Sequence, residues 1–78
     1  MRIHLKLFAN IRHYHPTDQE EDLIEVPEGI TVQQIVTSLG IPERLIKIVF
    51  VNGRHVDRRH TRLKEGDRLS VFPPLAGG

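Results

Sequence analysis

Residues 31–40 read TVQQIVTSLG and form the clearest helix signal in this chain of 78 residues. Thr31, followed three residues later by Gln34, fits a capping box, in which two side chains satisfy each other's backbone N–H groups. Gly40 supplies a stop, because glycine adopts the left-handed conformation at low cost. The apolar residues at helical spacing are Val32, Ile35, Val36 and Leu39. The stretch therefore predicts one short amphipathic helix with a single apolar stripe.

Strand patterns lie on both sides of this helix. Before it, residues 2–8 alternate between apolar and polar, and residues 23–26 form a second strand, so the pair predicts an antiparallel hairpin with residues 10–19 as its loop. After it, Pro42 can start a short turn through Leu45, and residues 46–51 are rich in β-branched and aromatic side chains, which predicts a strand. Asn52-Gly53 predicts a tight hairpin turn to a short strand at 54–56. A last strand at 68–72 follows the turn at 65–67.

The order strand, strand, helix, strand, short strand, strand indicates an α+β fold. A right-handed crossover and a single helix that covers one sheet face favour a β-grasp (ubiquitin-like) roll, with a mixed sheet of four to five strands around one main helix. The first and last strands then lie side by side at the centre, and Leu69 and Val71 face inward. Residues 1–72 form this domain, and residues 73–78 form an extended, flexible C-terminal tail. The expected core residues are Ile3, Leu5, Leu7, Ile48 and Phe50, and the expected open-face residues are Phe8, Val49 and Val51.

Length and composition favour a carrier or binding role over an autonomous enzyme. A chain this short buries only about 60% of the surface that its unfolded form exposes, which leaves little core for a catalytic cavity. It contains no cysteine, and hence no disulfide, thiolate nucleophile or sulfur-ligated zinc site. The sequence has no signal-peptide pattern and no apolar run long enough for a membrane span. We expect a soluble, cytoplasmic protein without a membrane partner.

The net charge of +1 hides an uneven distribution. Residues 18–28 contain six acids and no Lys or Arg, whereas residues 54–64 contain five basic residues against Asp57 alone. Two interpretations stay open. The runs are two solvated loops, or they are two charged ends that steer the protein onto partners of opposite charge. The arginines Arg58, Arg59 and Arg62 serve surface solubility, or steer docking or a phosphate-bearing substrate. Binding of nucleic acid is a third alternative for this run, disfavoured by the sparse aromatics and near-neutral charge.

The histidine pattern of this sequence does not indicate a metal-binding site. His13 and His15 stand two residues apart, without cysteine or an acid at fixed spacing. We therefore predict no metal site.

The C-terminal stretch VFPPLAGG, residues 71–78, is typical of a tail that is inserted into a partner. Gly77 and Gly78 have no Cβ to collide with the walls of a narrow slot. The six residues 73–78 can extend about 20 Å at ~3.3–3.6 Å per residue. Phe8, with Phe72, is expected to form a docking patch near the tail, and Arg12 can pair with an acidic partner. The other residues expected to take part in tail insertion are Pro73, Pro74, Leu75 and Ala76.

Three motifs together resemble the MoaD/ThiS family of sulfur carriers: FANIR at 8–12, VNGR at 51–54 and LKEGDRLSVFPPLAGG at 63–78. The FPP and FANIR elements are most similar to the small, sulfur-carrier subunit of molybdopterin synthase. The resemblance implies that the C-terminal carboxylate of Gly78 is adenylated with ATP by a ubiquitin-activating-type enzyme. Sulfur from a donor protein then replaces AMP, giving a thiocarboxylate that a synthase large subunit consumes. No bound cofactor and no autonomous catalysis are implied.

Two alternatives to this pathway stay open. The segment from the helix to Asn52 is short for a molybdopterin synthase subunit and is nearer to the thiamine-pathway carrier, whose partner is a thiazole synthase. An activated Gly78 can also be passed to a lysine amine, as in a ubiquitin-like protein modifier.

Overall fold

The computed structural model describes residues 1–74. Its sheet has the strand order β2-β1-β5-β3-β4, with β1 parallel to β5 and the other neighbours antiparallel. The first and last strands thus lie side by side at the centre, as the β-grasp prediction requires. The elements are β1 (Arg2–Leu7), a 3-10 helix (Ala9–Tyr14), β2 (Glu21–Glu25), α1 (Val32–Ser38), a second 3-10 helix (Glu43–Leu45), β3 (Ile48–Val51), β4 (Arg54–His55) and β5 (Arg68–Phe72).

The helix α1 begins and ends as its sequence predicts. The Gln34 N–H donates to the Thr31 hydroxyl at 3.1 Å, and the Thr31 N–H donates to the Gln34 side-chain oxygen at 2.9 Å. Gly40 follows the helix with a φ of 79°. The stripe residues Val32, Ile35 and Val36 are buried, and Leu39 packs against the same core.

The core lies between α1 and one face of the sheet, and it corrects the predicted orientation of β3. Val49 and Val51 are 2% and 9% exposed, so they belong to the core, whereas Ile48 and Phe50 are half-buried on the opposite face. The cause is the register with β5, which places Val49 opposite Val71 and Val51 opposite Leu69. Directly opposed residues point to the same face of a sheet. The apolar run of β3 has no polar residue that could have fixed this alternation.

The segment between β1 and β2 is more ordered than the predicted loop. Residues Ala9–Tyr14 form a 3-10 helix, and its Ile11 is fully buried. The strand that follows is Glu21–Glu25 rather than 23–26. Strand β3 begins at Ile48, two residues later than predicted, and β4 ends at His55.

His15 anchors this segment to the sheet. Its ring is 3% exposed; Nδ1 accepts a hydrogen bond from the Thr17 N–H at 3.2 Å, and Nε2 lies 2.9 Å from the Leu5 carbonyl oxygen. Because Nδ1 acts as the acceptor, Nε2 carries the hydrogen and donates to Leu5. His15 therefore has a structural role.

The helices of residues 1–74 are all too short to cross a lipid bilayer.

Candidate functional site

Four apolar side chains gather on the sheet face opposite α1. The rings of Phe8 and Phe72 stack with centroids 4.1 Å apart and an interplanar angle of 14°. Phe50 meets Phe72 edge-on at 5.5 Å. Ile48 pairs directly with Phe72 and shares its face. We call Phe8, Ile48, Phe50 and Phe72 the aromatic patch.

The predicted pair of Phe8 and Phe72 is therefore brought together, whereas sequence reasoning missed Phe50 and placed it in the core. The only signal that could have assigned Phe50 to this face is the register of β3 against β5. Stacked and edge-on pairs add about 0.5–1.5 kcal/mol each beyond simple burial, so the patch is held in a defined arrangement.

The tail begins at the aromatic patch. The Phe72 carbonyl accepts a hydrogen bond from the Lys47 N–H at 2.8 Å, and the Val71 carbonyl accepts one from the Phe8 N–H at 3.2 Å. Pro73 has no N–H, so it cannot continue the ladder and β5 ends at Phe72. Pro73 is half-buried and Pro74 is exposed. The remaining predicted tail residues, Leu75, Ala76, Gly77 and Gly78, lie outside the described residues.

A charged rim borders the aromatic patch on the β2 side. Lys6 Nζ lies 4.7 Å from the centroid of the Phe8 ring and 3.6 Å from a carboxylate oxygen of Glu21. His4 Nε2 lies 3.1 Å from the other carboxylate oxygen of Glu21. A lysine above an aromatic face adds a cation–π attraction, so Lys6 links the rim to the patch.

Arg12 does not join the aromatic patch. It is exposed on the first 3-10 helix and lines a separate crevice with His13, Asp18, Gln19 and Glu20. The two acids in this crevice give Arg12 a neighbourhood of mixed charge. Its docking role stays a prediction.

Two of the three arginines singled out in the basic run pack against the domain. Arg58 Nε donates to the Gln33 side-chain oxygen at 2.9 Å, and its guanidinium forms an ion pair with Glu43. This contact joins the segment after β4 to α1 and to the second 3-10 helix. Arg62 donates to the Gly29 carbonyl oxygen.

Asp57 closes a small polar turn in the same run. The hydrogen bond with the His60 ring, at 2.7 Å, and then the one from the Arg59 N–H, at 2.9 Å, hold the pKa of the Asp57 carboxyl below its ordinary value. Within the described part of the chain, no group of three or more His, Cys, Asp or Glu side chains is placed to hold a metal ion.

The two charge runs lie at opposite edges of the sheet. The acidic run includes β2, one edge strand, and the basic run includes β4, the other edge strand. Charged side chains on an edge strand oppose unwanted pairing with other sheets, which gives both runs a structural purpose.

The family of the chain follows from comparison with known proteins. A model described as the ThiS family matches residues 5–78. The chain belongs to this family. It is 35% identical to Small archaeal modifier protein 3 of Haloferax volcanii, over all of both chains. It is 32% identical to a Molybdopterin synthase sulfur carrier subunit of Drosophila sechellia, over 100% of this chain and 92% of that one.

A solved structure gives the same result for the fold. The solution structure of the Haloferax volcanii HVO 2177 protein matches with a TM-score of 0.78 and 34% identity, covering 100% of this chain and 87% of that one. The resemblance drawn from the three sequence motifs is thereby confirmed, and the fold of this ThiS-family chain is the ubiquitin-like β-grasp.

Proposed function

We propose that this protein is a sulfur carrier in the biosynthesis of the molybdopterin or tungsten-pterin cofactor. Its C-terminal Gly78 is adenylated and then converted to a thiocarboxylate that donates sulfur. The observation that carries the proposal is the position of Phe72, the last residue of β5 before the tail, inside the aromatic patch. A partner that covers this patch receives the tail from its first residue.

The chemistry suits a glycine-ended tail. A carboxylate is a poor electrophile, and joining it to AMP supplies a good leaving group for attack by sulfur. The reacting carbon has to lie beside ATP in the partner, which requires a narrow approach. Gly77 and Gly78 fit such an approach because they carry no Cβ. ATP is used by the adenylating enzyme, and this chain needs no cofactor of its own.

The aromatic patch serves as the docking surface in this proposal. Aromatic side chains supply most of the binding energy in protein interfaces, and the stacked rings of Phe8 and Phe72 are already ordered. The partners are an adenylating enzyme and then a synthase large subunit, in keeping with the relative that is named as a subunit of molybdopterin synthase. We expect both steps in the cytoplasm, with thiazole synthase as the alternative acceptor of sulfur.

A second candidate function is protein modification through Gly78. The observation in its favour is the 35% identity to a small archaeal modifier protein. In that case a lysine amine attacks the Gly78 carbonyl carbon of the adenylate, AMP leaves, and an isopeptide bond forms instead of a thiocarboxylate. Both functions share the first step, so they differ only in what attacks the activated carbon.

Intact-mass analysis tests these functions. The purified chain is incubated with ATP, the adenylating enzyme of the same host and a sulfur donor. We expect a mass increase equal to the exchange of one oxygen for sulfur, and no change in a variant that lacks Gly78. A Leu23→Ser variant is the matched control, because Leu23 is exposed and distant in sequence from the tail.

Each result of this assay has a defined meaning. Adenylation of the variant that lacks Gly78 would contradict the proposal, and circular dichroism shows whether an inactive variant is still folded. If the wild-type chain gains no sulfur in this assay and forms Gly78–lysine conjugates when a cell extract is added, the modifier function is favoured.

A further inference from the structure

A crevice lies at the end of the sheet far from the tail. It has a volume of about 520 Å³, and its polar lining comprises Asn52, Arg54, Thr61, Arg62, Lys64 and Asp67. Small-molecule sites typically occupy about 300–1,000 Å³, so the crevice has the size of a ligand site. Four residue steps of β5 separate Arg68, at this end, from Phe72. That distance is about 13 Å at ~3.3 Å per residue, so the crevice is not part of the aromatic patch.

The crevice has an excess of positive charge. Three cationic side chains line it against the carboxylate of Asp67. Both oxygens of that carboxylate are already used: Asn52 Nδ2 donates to one at 3.0 Å, and the Lys64 backbone N–H donates to the other at 2.8 Å. The ion pairs formed among residues 1–74 include neither Arg54 nor Lys64. Their charges are therefore available to a ligand.

Arg62 is oriented before any ligand arrives. Its Nη1 donates to the carbonyl oxygen of Gly29, a residue of the neighbouring crevice that Arg62 also lines, and this contact fixes one side of the guanidinium group. A side chain that is already held loses less conformational freedom on binding than a free one. Guanidinium groups match phosphate oxygens with two parallel hydrogen bonds, whereas lysine contributes a point charge.

We propose that this crevice binds an anion with two linked phosphoryl groups. Arg54 comes from β4, whereas Arg62 and Lys64 come from the segment after it, so cationic side chains line the crevice from two parts of the chain, which suits two linked phosphoryl groups. The Thr61 hydroxyl and the Asn52 amide are polar neighbours in the same lining. Its apolar lining is valine, from Val51 and Val56, so a nucleotide base gains no aromatic stacking here. The site recognises the diphosphate group, whether it is free or part of a nucleotide.

Titration of the full chain with pyrophosphate tests the site. Amide chemical shifts are followed by NMR at constant ionic strength, with chloride as the balancing anion. We expect saturable shifts confined to residues 51–56 and 61–67. Arg54→Gln and Lys64→Gln should each weaken binding about tenfold, the loss expected for one charge-assisted hydrogen bond. Inorganic phosphate should bind more weakly than pyrophosphate, and ATP about as tightly.

Matched controls separate a site from general charge attraction. Arg44→Gln and Arg12→Gln remove the same charge from exposed positions outside the crevice, and each should weaken binding less than about twofold. An equal loss in these controls, or shifts that do not saturate, would overturn the proposal. ATP binding at least tenfold more tightly than pyrophosphate would overturn the assignment to a diphosphate group. None of these readouts involves Gly78, so failure here leaves the proposed sulfur-carrier function untouched.

Discussion

Removal of one ring from the aromatic patch should weaken the activation of the tail while leaving the domain folded. Complete loss of a buried Phe side chain costs about 3–5 kcal/mol, and the Phe50 ring is only half-buried. Phe50→Ala should therefore lower the free energy of unfolding by about 1.5–2.5 kcal/mol. A domain of 78 residues has about 4–12 kcal/mol of stability, so the variant remains folded.

The same substitution should have an effect of similar size in the complex, where it appears directly as lost activity. An aromatic anchor at the centre of an interface contributes about 2 kcal/mol or more, which corresponds to roughly a 30-fold loss in kcat/KM for adenylation. The loss should appear in KM, because docking contributes equally to the ground state and the transition state. ATP–pyrophosphate exchange with the adenylating enzyme measures it, and urea unfolding of the free chain measures the stability.

The comparison rests on a control from the same sheet face. Leu23 lies in the edge strand β2, opposite His4 of β1, and is 53% exposed. Leu23→Ala should therefore change the free energy of unfolding by less than about 0.5 kcal/mol. Its kcat/KM should equal that of the wild type within about twofold. If Phe50→Ala is destabilised but is activated as efficiently as Leu23→Ala, the patch only packs the sheet and the docking argument is refuted.

Three further substitutions test how the domain is held together. His15→Leu should cost about 1–3 kcal/mol in urea unfolding, because it leaves the buried Leu5 carbonyl without its side-chain donor. Gly40→Ala should cost about 1–2 kcal/mol in the same assay, since φ is 79° although the space around it is open. His60→Ala should raise the pKa of Asp57 toward its ordinary value in a carboxyl NMR titration, because the hydrogen bond with His60 is the main cause of its lowering.

The parts of the fold that follow local rules could be predicted from the sequence. The capping box of Thr31 and Gln34 and the stop at Gly40 are satisfied within a few residues, so helix α1 was identified from its own sequence. Leu69 and Val71 were predicted to face inward and Phe72 to join Phe8, and the alternation of β5 agrees, with the polar Ser70 on the same face as Phe72. Strand β3 has no such residue, and only its pairing with β5 determines which side chains are buried.

Contacts between distant residues account for the rest of what was missed. From the sequence, Arg58 is one of several charged residues in an exposed basic run. Its partners Gln33 and Glu43 stand 25 and 15 positions earlier in the chain. His15 reads as a loop residue for a similar reason, because the Leu5 carbonyl that it contacts belongs to another element. The amino-acid composition gives the charge of such residues, but it does not identify the residues that they contact in the fold.

In the proposed function, insertion of the tail need not disturb the domain, because of the strand from which the tail continues. The tail continues from β5, which lies between β1 and β3 and is hydrogen-bonded on both sides. Central strands open with free energies close to that of global unfolding, whereas terminal segments fray at almost no cost. A partner that draws in the residues after Pro73 therefore pulls on the most firmly held strand of the sheet. The rings of Phe8 and Phe50 contact Phe72 at that same point, so the aromatic patch and the start of the tail keep one geometry.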